Sequence, residues 1–436
     1  MITDQSLLIK QCMHCYLRSK FKQNMGDKNI LPFFIFTLFA VTTASAQLIS
    51  YTKVDSFSTE RLDQRWKRIG IPQVISKVRN AVDVYDITYY TTYGDGSQVV
   101  ASGLYFIPIQ AKKAAPLLIY NHGTTIRSER KLGYNGEGQI CLMFSTDGYA
   151  VCEPDYVGLG HGERRHLYIH ADSEADAGID MMKAVVELDS LMGLQRDPMI
   201  FVSGYSQGGH AAMAVSRKLQ EEYSDQYQVT AASPMSGPYD LDGVQADVMF
   251  HEYTQPHYLP YLILSYNEVY KVFDDETFYE DVFSEPYNEI VQGVFNGKHS
   301  VGNINDTLPI VPKDMLSDSV VNEFQNNPDF RFTKLLQENS MDNWVPEMPM
   351  QICYCRGDEE VVYTNALVAH AAMKEMGAKN VKLRKVGGKK YTHRKCADWA
   401  VVYTKFYFDS FRRGSKKGRK GPVFKRWLVG IAKGFR

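Results

Sequence analysis

The chain has 436 residues, 44% of them hydrophobic and 23% charged, which is enough for a full core and leaves room for one large domain with an insertion or for two domains. Its 49 Lys and Arg against 50 Asp and Glu give a formal net charge of −1. That balance excludes a global electrostatic attraction to nucleic acid, and no nucleic-acid partner is expected.

Residues 25–47 read MGDKNILPFFIFTLFAVTTASAQ: a lysine near the start, an apolar run from Ile30 to Val41, then Ala44-Ser45-Ala46. This is the pattern of a signal peptide at 25–46, cleaved after Ala46. The run is short of the roughly 18 to 20 residues that a spanning helix needs, and Pro32 interrupts it. On this reading residues 1–24 are an upstream extension, and Cys12 and Cys15 within it are no metal or redox site. An exported protein is expected, whether periplasmic, held in the cell envelope or secreted. Five cysteines remain after Ala46: Cys141, Cys152, Cys353, Cys355 and Cys396. Cys353 and Cys355 alternate on an expected strand and face one side, so Cys396 could pair with either. Buried free thiols are the equal alternative.

From Val82 to Ile107 two β-rich runs flank Tyr93-Gly94-Asp95-Gly96, a hairpin pattern that gives the domain an antiparallel start. Strand-like runs then follow at Pro116 to Asn121, Tyr149 to Pro154, Met199 to Val202, Val229 to Pro234, Met348 to Cys355 and Val381 to Val386. Between them helices are expected at about Ser173 to Leu194, Gly208 to Tyr223, Asn365 to Met376 and Ala397 to Phe411. Such alternation predicts an α/β fold with a mostly parallel sheet covered by helices. The rhythm stops between Tyr239 and Val345, a stretch too long for a plain loop and therefore an inserted, aromatic-rich helical subdomain. The expected organisation is a first core part at 47–238, a cap insertion at 239–345, a second core part at 346–411 and a basic amphipathic tail at 412–436. That tail carries ten Lys or Arg and no acidic residue, with Phe424, Leu428, Ile431 and Phe435 on one helical stripe. It suits contact with an anionic membrane surface, and equally a solvated tail or a helix packed on its own domain.

The chemistry centres on Gly204-Tyr205-Ser206-Gln207-Gly208, a GxSxG between the apolar run ending at Val202 and the Ala-rich helix after it. A strand that turns at once into a helix strains the middle residue, leaves no room for flanking side chains and exposes the Ser206 hydroxyl. A serine hydroxyl needs a base, and the base needs a carboxylate to fix its tautomer. Asp358 follows the Met348 to Cys355 run, with Glu359 and Glu360 as weaker candidates. His393 lies in the loop expected after the Val381 to Val386 strand, where its imidazole would swing over the same sheet edge. The chain order Ser206, Asp358, His393 is the order this topology requires. His210 and His370 read as structural. Asn121-His122-Gly123-Thr124 follows an early strand, and the amides of Thr124 and Gln207 are the candidate oxyanion-hole donors.

With NHGTT at His122, EPDYVGLG from Glu153 to Gly160, GYSQG at Ser206, RGDEEVV at Asp358 and the late His393, the chain resembles the α/β-hydrolase superfamily. Within that superfamily it is similar to the secretory lipase and esterase group, roughly from Val82 to Phe411. The resemblance implies a Ser-His-Asp carboxylic-ester hydrolase that uses no cofactor, acts on small-molecule or lipid esters and carries a cap over its site. A serine exopeptidase of the same fold is the alternative, although no acidic residues to anchor a peptide amino terminus are evident; a non-catalytic binding protein has no need of all three residues. Gly158-Leu159-Gly160-His161-Gly162 is no nucleotide loop, because Glu163-Arg164-Arg165 stands where a third glycine belongs. His161, His166 and His170 lack a zinc motif such as HExxH, and no metal is expected.

Overall fold

In a computed structural model that describes residues 47–71, 75–109, 111, 113–128, 134, 136–419, 421, 422, 424 and 427–430, the apolar runs become one nine-stranded sheet. Strands β1 (Leu48–Phe57), β2 (Ala81–Thr92) and β3 (Gln98–Ile109) form an antiparallel meander at one side, joined to the rest by the antiparallel pair of β3 with β5 (Ala150–Pro154). From β5 the sheet runs parallel through β4 (Ala115–Asn121), β6 (Arg196–Tyr205), β7 (Val229–Met235), β8 (Met350–Cys355) and β9 (Val381–Gly387).

The central strands read as continuous apolar runs because both faces are covered. In β4, Leu117 and Ile119 join one core with Val185, Val215 and Met373, from helices α3 (Ala171–Leu191), α4 (Gln207–Glu222) and α11 (Thr364–Glu375). Leu118 and Tyr120 point the other way, to a core shared with Trp66, Leu142 and Phe408. Those residues come from α1 (Thr59–Ile69), α2 (Gly138–Thr146) and α12 (His393–Arg412). The hairpin, the six parallel strands and four of these helices lie where the periodicity puts them.

Three elements do not announce themselves in the sequence. β1 is an edge strand with mostly exposed side chains, two bulges and no apolar alternation. α1 buries only Leu62 and Trp66 of its eleven residues, and α2 is short. The start of α12 also corrects the sequence reading. His393 is its first residue rather than part of a loop, because the Thr392 side chain caps the helix by accepting from the Lys395 amide.

Residues 239–345 add no strand to the sheet and carry helices α5 (Tyr258–Tyr270), α6 (Phe278–Val282), α7 (Tyr287–Val294), α8 (Val301–Asn305), α9 (Asp318–Asn326) and α10 (Arg331–Asn339). Their apolar sides meet in a separate cluster with Tyr266, Phe278, Val282, Phe332 and Leu336 at its centre. The leader at 25–46 and the extension at 1–24 lie outside the described residues. In the tail, Phe424 and Trp427 are 64% and 59% exposed and stack on each other, whereas Val429 is buried against the core. The side turned inward is therefore not the stripe through Leu428; Ile431 and Phe435 lie outside the described residues. No described helix is long and apolar enough to cross a membrane.

A disulfide joins Cys355, the last residue of β8, to Cys396 in the first turn of α12, while Cys353 stays a buried thiol. The bond spans 41 residues, and closing a loop of that length in the unfolded chain stabilises the fold by about 4 kcal/mol in the chain-entropy model. The Cys355→Ala/Cys396→Ala double variant is expected to lose stability of that order in urea unfolding; a loss below about 1 kcal/mol would show that the constraint is not felt.

Candidate active site

At the end of β6 the chain turns into α4 within one residue, and Ser206 takes φ 61° and ψ −123°. The flanking glycines are a steric necessity. A Cβ on Gly204 would lie 2.0 Å from the Gly208 carbonyl oxygen, and one on Gly208 would lie 1.9 Å from the carbonyl oxygen of Asn121. Three backbone segments thus cross under Ser206, whose amide donates to Met235 at 3.0 Å. The side chain faces a cavity of about 1260 Å³ that is also lined by His393, Gly123, Thr124, Glu137 and Glu360.

His393 is held on every side. Its Nδ1–H donates to Asp358 Oδ1 at 2.8 Å, and that same oxygen accepts the amides of Val361 at 2.9 Å and Glu360 at 3.3 Å. The His393 amide, one of the helix-end donors that lack an intrahelical acceptor, donates to Glu359 Oε2 at 2.9 Å. Tyr205 donates its hydroxyl to the His393 carbonyl at 2.6 Å. Glu360 Oε2 stands 3.9 Å from His393 Nε2. Asp358, the first-ranked carboxylate, is therefore the one on Nδ1, while Glu359 and Glu360 meet the same histidine at other atoms. Burial by itself lowers the imidazole's pKa, but the hydrogen bond and charge of Asp358, with Glu360 and Glu359, outweigh it and hold the pKa above the ordinary 6.5. Among the described residues no hydrogen bond joins the Ser206 hydroxyl to His393; such bonds are often long before substrate arrives.

Glu360 also belongs to the insertion's grip on the core. Its side-chain oxygens accept from Tyr258 at 3.0 Å and Gln255 at 3.3 Å, and its carbonyl accepts from the Tyr253 hydroxyl.

The loop after β4 runs beside the serine. A Cβ on Gly123 would come within 3.2 Å of the Tyr205 carbonyl oxygen and 3.5 Å of Ser206 Cβ. Thr124 follows, its hydroxyl donating to Tyr168 at 3.2 Å. Gln207 begins α4, so its amide has no acceptor within the helix. Its side chain is tied down: Nε2 donates to Glu174 Oε1 at 2.8 Å and to His166 Nε2 at 3.0 Å. Burial drives His166 down to about 3, so it is neutral, and its Nδ1–H donates to Val157 at 3.0 Å. His210 continues the network, meeting Glu174 Oε2 at 2.7 Å and the carbonyl of Asn339 in α10 at 2.8 Å. Sequence reasoning set His210 aside as structural and missed Glu174, Asn339 and Glu137, since no local spacing marks partners that are distant in the chain.

The histidines weighed as metal ligands serve separate ends. His161 pairs with Asp86 at the surface, His166 holds Gln207, and His170 caps α3. Among the described residues no group of three or more His, Cys, Asp or Glu could hold a metal ion. A second, apolar pocket of about 70 Å³ leads from Ser206 and Gln207 into the insertion, between Leu241, Met249, Leu262, Phe324 and Phe332.

Residues 139–253 match the family model for secretory lipases. A search of curated proteins gives no match. Among solved structures the chain is similar to the rice cell wall degrading esterase LipA from Xanthomonas oryzae, at 27% identity and a TM-score of 0.75 over 83% of this chain and 98% of that one. It is likewise similar to a Legionella pneumophila protein, at 25% identity and a TM-score of 0.76 over 85% of this chain and 99% of that one. Candida antarctica lipase A in its closed state shares the fold, with a TM-score of 0.66 at 15% identity over 87% and 84% of the two chains. In its sheet order, its serine turn and the segment that matches the lipase model, the chain resembles the α/β-hydrolases of the secretory lipase family.

Proposed function

We propose that the protein is an exported serine hydrolase of carboxylic esters, with Ser206 as nucleophile, His393 as base and Asp358 as the group that orients His393. The observation that carries this is the pair of Ser206 in a strained turn and His393 hydrogen-bonded to Asp358 at 2.8 Å, both facing one cavity. In the proposed reaction His393 Nε2 takes the Ser206 proton as Oγ attacks the ester carbonyl carbon. Asp358 stabilises the imidazolium, and the amides of Thr124 and Gln207 receive the charge on the carbonyl oxygen. The imidazolium then passes its proton to the departing alcohol, leaving an acyl-enzyme. Water, deprotonated by the same imidazole, attacks the acyl carbon and releases the acid. Export is supported by the leader pattern at 25–46, the disulfide and the family match.

The apolar pocket beside Ser206 suits the acyl group. At about 70 Å³ it is small beside the roughly 300 to 1,000 Å³ of pockets that take drug-sized ligands, which favours a short chain. In a p-nitrophenyl ester series, acetate and butyrate are expected to outpace palmitate, and Phe324→Ala to move the optimum to longer chains; a wild-type preference for palmitate would remove the pocket from that role. Ser206→Ala is expected to lower kcat by about 10⁴-fold or more on every member. If wild type and variant were equally inactive on esters but cleaved prolyl or aminoacyl amides, the exopeptidase reading would replace this one.

The charge around His393 sets the acid limb. The base must be unprotonated to act, so kcat/KM is expected to fall as pH drops through a value above 6.5. Glu360→Gln removes one of the raising charges and should move that limb to lower pH; a limb that stays in place would show that Glu360 does not act on the base.

The exposed Phe424 and Trp427, in a tail of ten basic residues, support contact with an anionic membrane surface. Co-sedimentation with phosphatidylserine vesicles is expected to fall in the Phe424→Ala/Trp427→Ala variant, and equal sedimentation of both forms would rule that contact out.

A further inference from the structure

One carboxyl in the cavity has no part in the Ser206, His393 and Asp358 constellation. Glu137 immediately precedes α2, where its carbonyl accepts the amides of Ile140 at 2.7 Å and Cys141 at 3.2 Å, so its backbone is fixed by the helix. Its side chain reaches back across the cavity, and Oε2 accepts the Gly123 amide at 2.7 Å. Gly123 has no room for a side chain at this point. The Cβ it lacks would lie 3.2 Å from Glu137 Oε1, 3.2 Å from the Tyr205 carbonyl oxygen and 3.5 Å from Ser206 Cβ. The next amide in the chain is that of Thr124.

We propose that Glu137 is a positioning residue for the oxyanion loop, its carboxyl gripping the Gly123 amide so that the Thr124 amide is aimed at the carbonyl oxygen of the bound ester. The inference rests on the serine-hydrolase reading above. The geometry has an electrostatic corollary. The groups that act on this carboxyl or feel it are Glu153 from β5, Cys141 from α2, Tyr120 from β4, Tyr156 from the loop after β5 and Tyr205 from β6; no described cation is among them. His122 Nδ1 lies 2.7 Å from the Gly123 carbonyl oxygen, at the next peptide along. Burial pushes Glu137 up to about 8, against the hydrogen bond from Gly123 and with help from Glu153. At pH 7 the carboxyl is therefore mostly neutral: it accepts the amide without placing a negative charge beside a forming oxyanion. Above that pH it ionises, and the new charge opposes the transition state.

The test is a pH-stat assay of tributyrin hydrolysis by wild type, Glu137→Gln, Glu137→Leu and Ser206→Ala, with kcat and KM resolved across pH. Wild type is expected to lose kcat as pH rises through about 8. Gln keeps an acceptor for Gly123 and cannot ionise, so it should retain kcat at pH 7 within about three-fold and lack the alkaline limb. Leu cannot hold the amide and should lose kcat by about 10- to 100-fold, with KM within about two-fold, the signature of an interaction that matters in the transition state. The proposal is overturned if Leu keeps wild-type kcat, or if Gln keeps the alkaline limb. Either result with an inactive Ser206→Ala rejects only the role of Glu137. An active Ser206→Ala rejects the serine-hydrolase reading itself.

Discussion

Everything at this site depends on how closely three backbones cross beneath Ser206. The end of β6, the start of α4 and the loop after β4 meet where no side chain fits, and that contact fixes the hydroxyl, the Gln207 amide and the Gly123–Thr124 stretch relative to one another. The cost is a serine held at positive φ, a conformation that persists only where the surroundings over-determine it. They do so here from one face of the sheet and from within it. The packed small residues of α4 fix the helix, and the parallel ladders from β4 and β7 hold β6 on both sides.

A second layer of order comes from polar groups buried under the turn. Gln207, Glu174, His166 and His210 form a connected set that ends at Asn339 in the insertion, so the residue following Ser206 is tied both to α3 and to α10. A buried network of this kind confers rigidity when its members are paired. The other tie runs through Glu360, where Tyr253, Gln255 and Tyr258 reach the loop that bears Asp358. Residues 239–345 therefore meet the surroundings of Ser206 both through Asn339 and through the ties to Glu360.

Much of this was legible from period and punctuation. The hairpin at Tyr93 and the parallel strands follow from apolar runs of strand length, and Ser206, Asp358 and His393 stand out as candidates because each lies beyond the carboxyl end of such a run. The limits are equally physical. Placing His393 in a loop overlooked the capping ability of Thr392, which starts the helix four residues before its apolar periodicity begins. The choice between Cys353 and Cys355 could not be made from alternation, because both face α12; the helix presents Cys396 to one and Thr404 to the other. The Glu137 clamp and the Gln207 network join residues 14 to 129 positions apart, and nothing in a single sequence marks such pairs.

The outer strand β1 has a bearing on how the folded molecule behaves in company. Among the described residues it has no strand on its outer side, with Ile49 and Tyr51 exposed at 40% and 45%, the kind of border on which a second chain could lay a strand. Its two register shifts, after Leu48 and after Lys53, each insert a residue that has no partner on β2. A bulged edge offers no continuous row of amides and carbonyls at regular spacing, and Lys53 adds charge beside the second shift. The irregularity that hid this strand from periodicity is thus a guard against aggregation, and a straightened β1 would make a stickier protein.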